Sequence, residues 1–91
     1  METIVLDFTG CKYIGEIHKV LKESFDFPDY YGGNWSALWD CLDYYFDEPV
    51  LVQIKGLFTL PKEFEDQIKI MLKIFDDIKI HTPNVKFDVI Y

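Results

Sequence analysis

Ser36, Asp40, Asp43 and Asp47 follow one another at spacings of four, three and four residues, so they share one face of any helix running through them. Trp39 stands beside that stripe. Carboxylates in such a row accept charge-assisted hydrogen bonds from arginine, lysine or protonated histidine. An aromatic side chain flanked by charge that can be desolvated is the usual makeup of an energetic hot spot in a protein interface. The row opposes itself in the free protein, since like charges at this spacing cost roughly 0.2–0.5 kcal/mol per pair. Asp43 and Asp47 also fall toward the C-terminal end, where the helix dipole disfavours negative charge. A basic partner supplies the compensation that stability alone does not.

The surroundings strengthen this reading. Residues 26–48 hold six acidic side chains and eight aromatics but no lysine or histidine, and all nine lysines lie elsewhere. Taken singly, the acidic stripe reads as a solvated helix face, Trp35 and Trp39 as core residues, and Tyr30-Tyr31 as loop packing. Their concentration in one stretch favours an acidic interaction module. The formal charge of −7 and the absence of arginine, the favoured bidentate phosphate donor, argue against direct nucleic-acid binding, which is not expected.

Other chemistry finds no support. There is no phosphate-binding glycine loop, paired metal-ligand spacing or nucleophile motif, so no catalytic residue, metal or cofactor is expected. His18 is expected as a half-exposed helix residue, and His81 has no evident companion. Cys41, mid-helix among apolar neighbours, reads as an inert packing thiol, and Cys11 and Cys41 are expected to be reduced. An enzyme built on Cys41 and His18 is a weak rival because no basic neighbour would activate the thiol. The acidic, strand-like start lacks the features of a signal peptide, and no apolar run approaches a membrane span, so a cytoplasmic location is expected.

These side chains need a frame, and 91 residues suffice for one domain, residues 1–91, with a single core. Thr3–Phe8 reads as a strand. Ile14, Ile17, Leu21 and Phe25 mark a helix from about Tyr13 to Phe25, ended by Pro28. Asp26–Gly33 is a loop, and Asn34 is a suitable cap for a helix from Trp35 to about Tyr45. Leu38, Cys41, Leu42 and Tyr45 form its packing side. Val50–Lys55, almost continuously apolar, reads as a strand buried on both faces. Gly56–Leu60 suggests a short helical turn. Pro61 opens a helical segment to about Lys79 with a stripe of Phe64, Ile68, Met71, Leu72, Phe75 and Ile78, and alternation from Val85 to Tyr91 gives a last strand. Strands separated by helical crossovers pair in parallel. The expected fold is therefore α/β: a small three-stranded parallel sheet flanked by three to four helices, with the first or second strand central.

Pro28, Tyr30-Tyr31-Gly32, Asn34 and the run Ala37-Leu38-Trp39-Asp40-Cys41-Leu42 resemble the motif P-x-Y-Y-G-x-N-x-x-A-L-W-D-C-L of the barstar family, intracellular inhibitors of secreted ribonucleases such as barnase. The likeness extends through Ile17-His18, Leu21-Lys22, Pro49 and Leu72 to Phe75. It implies the same fold and a secreted, barnase-like basic ribonuclease as partner, bound by a monomer in a 1:1 complex. It implies that Asp40 takes the scissile-phosphate position, that Tyr30 covers a catalytic histidine, that Gly32, Asn34 and Trp39 shape the contact, and that Tyr45 packs at its edge. Ser36 stands where the family has aspartate, Asp43 where it has threonine, Tyr45 where it has tryptophan, and Asp77 at a glutamate position that also reaches the nuclease. The alternative is an immunity or regulatory module of this fold for a basic partner that is not a ribonuclease.

Overall fold

A computed structural model describes residues 2–29, 31–43 and 48–90. Among these residues the chain runs β1 (Glu2–Asp7), α1 (Ile14–Phe25), α2 (Trp35–Asp43), β2 (Val50–Lys55), two 3₁₀ turns (Leu57–Thr59 and Lys62–Phe64), α3 (Glu65–His81) and β3 (Val85–Val89). The strands form one parallel sheet in the order β1-β2-β3. The α/β fold expected from the sequence is therefore present. The second strand is the central one.

The register sets Val52 between Ile4 and Phe87, and Gln53 between Val5 and Asp88. Ile4, Leu6, Val50, Val52, Ile54 and Val85 are buried on one face, whereas Thr3, Val5, Asp7, Lys86 and Asp88 on the other are exposed. Leu51 and Gln53 are only half-buried. This corrects the reading of Val50–Lys55 as a strand buried on both faces. Parallel sheets usually carry helices on both sides; here, among the described residues, the packed core lies against one side.

Helix α1 buries Ile17, His18, Leu21 and Phe25. It ends on Asp26 in the left-handed conformation (φ 56°), with Asp26 N–H donating to the Glu23 carbonyl and Phe27 N–H to the Lys22 carbonyl. This pair of bonds is the Schellman arrangement, which satisfies the last carbonyls and turns the chain sharply. Phe27 then stacks on Phe25 at 5.1 Å and packs against Tyr31. In the second half, Pro61 is followed by a 3₁₀ turn before α3 begins at Glu65. Phe64, Met71, Phe75 and Ile78 are buried, and Phe75 stacks on Phe87 at 4.6 Å, tying α3 to β3. Gly56, after β2, has φ 81° and approaches so closely that a Cβ there would lie 2.5 Å from the Thr9 backbone nitrogen.

His18 departs from expectation: it is 6% exposed, the one polar residue among the buried described residues. A charge-capable ring enters the core only if its nitrogen finds a partner, and that partner, Tyr31, lies in the next loop. Cys11 is buried, Cys41 half-buried, and both are free thiols. Burial pushes both thiols up, with Glu16 and Asp7 adding to the effect at Cys11 and Asp40 at Cys41.

Candidate partner-binding face

Helix α2 is fixed at its start by two devices. Asn34 Oδ1 accepts the Ala37 N–H at 2.8 Å, the side-chain cap expected of asparagine there. Trp35 donates its indole N–H to Gln67 Oε1 of α3 at 2.6 Å, while its ring packs on His18 at 4.4 Å. Leu38 and Leu42 are fully buried. With those positions inward, helical periodicity turns Ser36, Asp40 and Asp43 to solvent, where all three are exposed. Helix α2 packs chiefly against α3.

Between the two helices lies an open hollow of about 410 Å³, lined by Trp35, Ser36, Trp39 and Asp40 from α2 and by Ile74 and Asp77 from α3. Its floor is aromatic and aliphatic, and two carboxylates, one from each helix, stand on its lining. Trp39 is half-buried and meets the His81 ring edge-on at 5.8 Å. No lysine or histidine is among the lining residues. Among the described residues the ion pairs are Lys22–Asp29 (3.4 Å) and Lys69–Glu65 (3.6 Å), neither of which touches Asp40, Asp43 or Asp77. Among the described residues, these carboxylates therefore have no ion-pair partner of their own. A smaller hollow of about 290 Å³, lined chiefly by Leu57, Leu60, Pro61, Phe64 and Ile68, contains none of the expected binding residues.

The structure therefore gathers Ser36, Trp39, Asp40 and Asp77 in one place. Asp43 is exposed further along α2 and does not line the hollow. Asn34 uses its Oδ1 in the cap, leaving its amide NH2 and the second lone pair of Oδ1 for other contacts. Gly32 is exposed, and a Cβ there would press within 3.3 Å of that nitrogen. The expectations at Tyr30, Tyr45 and Asp47 lie outside the described residues. Sequence reasoning missed Gln67, an uncharged amide on a long helix whose role exists only through its three-dimensional neighbour. Tyr31, read as loop packing, is buried as that reading expects, but its hydroxyl also lies 2.7 Å from His18 Nδ1, a bond the sequence did not reveal. Among the described residues, no group of His, Cys, Asp and Glu could hold a metal ion, and no helix is long and apolar enough to cross a membrane.

A family model described as "Barstar (barnase inhibitor)" matches residues 1–91. The chain belongs to the barstar family. It is also similar to the "Putative ribonuclease inhibitor YrdF" of Bacillus subtilis (strain 168), at 44% identity over 56 residues, 62% of this chain and 62% of that protein. The chain thus spans less than two thirds of the length of this curated relative. The parallel sheet with its helices is consistent with a barstar-like fold. Ser36 and Asp77 line the hollow, whereas Asp43 stands outside it.

Proposed function

We propose that this protein is a single-domain, non-catalytic inhibitor of a small basic ribonuclease, acting inside the cell as a monomer in a 1:1 complex. Helix α2 and the preceding loop enter the nuclease cleft and stand in for RNA phosphate. The observation that carries this reading is the α2–α3 hollow, which sets the Asp40 and Asp77 carboxylates on an aromatic lining free of lysine. Asp40 accepts charge-assisted bonds from the arginine, lysine or histidine that would otherwise hold the scissile phosphate. Trp39 supplies rigid apolar area beside it, and exclusion of water around the two strengthens each bond. Tyr30, Gly32 and Asn34 present the loop, and Tyr45 borders the contact. The net charge of −7 draws in a cationic enzyme, faster at low ionic strength. A thiol pushed up by burial makes Cys41 a poor nucleophile, in keeping with a protein that binds rather than reacts.

The same face could serve as an immunity or regulatory module for a basic partner of another kind. The transfer of charge from position 36 to Asp43, outside the hollow, favours a partner whose cations are arranged differently from those of barnase. Titration of guanyl-specific secreted ribonucleases, barnase among them, separates the two readings. Stoichiometric, salt-sensitive loss of RNA cleavage supports the ribonuclease reading, and full cleavage by every enzyme at saturating inhibitor rejects it.

A further inference from the structure

His18 occupies a position on α1 that an apolar residue would fill at lower cost. Its neighbours on the buried stripe are Ile17, Leu21 and Phe25, and burying an imidazole among them is unfavourable unless its nitrogens are satisfied. The partner comes from the loop that precedes α2. Tyr31 is 7% exposed, and its hydroxyl lies 2.7 Å from His18 Nδ1. Burial pushes the Tyr31 phenol well above its ordinary range, with the Cys41 thiol adding to the effect. With the neutral ring's hydrogen on Nε2, His18 accepts from that hydroxyl at Nδ1; with it on Nδ1, the ring donates instead. The opposite side of this contact is the Trp35 ring, at 4.4 Å and tilted by 48°. Gly33, between these two partners, turns the chain with φ 67°. One side chain of α1 therefore touches both the loop before the turn and the first residue of α2.

We propose that His18 is a positioning residue for the partner-binding face, its Nδ1 holding Tyr31 and its ring supporting Trp35, so that the loop and α2 are presented in one fixed attitude. Tyr31 sits between Tyr30 and Gly32, both assigned to the contact. Trp35 carries the same restraint across to Gln67 on α3 through its indole N–H. The line His18, Tyr31, Trp35, Gln67 thus connects α1, the loop, α2 and α3 behind the hollow. Ordering the loop before encounter removes a cost that binding would otherwise have to meet. The consequence for affinity rests on the inhibitor reading, but the ordering of the loop does not.

The test compares Tyr31→Phe, His18→Leu and His18→Asn in the full-length chain. Phenylalanine keeps the ring and loses the hydroxyl; leucine keeps bulk and loses the ring nitrogen; the Oδ1 of asparagine takes the place of Nδ1. Two measurements are made: amide order parameters at Gly32 and Gly33 in the free protein, and affinity for barnase as the probe. Tyr31→Phe and His18→Leu should each lower the order parameters and weaken binding roughly tenfold, the scale of one buried hydrogen bond. The double variant should be no worse than either, because both remove one interaction. His18→Asn should restore order and affinity toward the parent. Unchanged order parameters in Tyr31→Phe, whatever its melting temperature, would overturn the proposal, as would failure of His18→Asn to restore them while it folds. If the parent does not bind barnase, the inhibitor reading suffers, and the order parameters still decide the role of His18.

Discussion

The indole N–H of Trp35 on α2 reaches Gln67 Oε1 on α3 at 2.6 Å, a single bond joining the two helices that line the hollow. Gln67→Ala leaves a half-buried N–H without its acceptor. The expected loss is about 1–2 kcal/mol of folding stability, read from the urea midpoint, together with a change in near-ultraviolet circular dichroism from the loosened indole. An unchanged spectrum would mean that ring packing on His18 alone fixes Trp35.

Asp40 has the reverse profile. It is exposed and lacks an ion-pair partner among the described residues, so Asp40→Ala should leave the melting temperature of the free protein unchanged or slightly raised. In the complex the same change strands the partner's buried cations. Calorimetry should show binding weakened by about 2–5 kcal/mol, a range to which charge pairs of barstar's own complex contribute. A marked fall in melting temperature would reassign Asp40 to the fold.

For Asp43, outside the hollow, the expectation is kinetic. Asp43→Asn should slow association with a basic ribonuclease at low salt and leave dissociation nearly untouched. The difference should vanish as added salt shortens the reach of the field. Stopped-flow association across a salt series checks this, and equal on-rates at low salt would remove Asp43 from the steering charge.

His18 gives the stability a pH dependence of definite sign. Burial lowers its pKa below the ordinary value of 6.5, so between the folded and unfolded values the unfolded chain binds more protons. The contribution is complete above the unfolded pKa and is lost as pH falls below it toward the folded one. The urea midpoint should therefore drop between about pH 7.5 and about pH 5.5, before most carboxylates titrate. His18→Asn should flatten that segment of the curve. Parallel curves for parent and variant would assign the slope to other groups.

Much of the frame was legible because each element carries its own signal. The alternation in β3, the stripe Phe64, Met71, Phe75 and Ile78, and the Asn34 cap are local patterns that local physics reads directly. The errors arose where partners are distant. Val50–Lys55 looked buried on both faces because hydrophobicity records what a strand tolerates, not how many layers cover it. His18 looked half-exposed because its hydrogen-bond partner, Tyr31, is thirteen residues away. Within the binding face, helical spacing alone grouped Ser36 with Asp40. Asp77 entered only through family resemblance, and the α2–α3 contact is what brings it to the same hollow.

The sheet with one open side gives the molecule a handle. Lys86 and Asp88 point away from the packed core, on the opposite side of β3 from Phe87, which stacks on α3. A dye, a surface tether or a fused domain attached through Lys86 would burden neither the core nor the α2–α3 hollow. Lys22, paired with Asp29, and the lysines of α3 lie near the acidic segment or the hollow, so coupling is best directed to position 86 alone, which leaves the α2–α3 hollow facing outward.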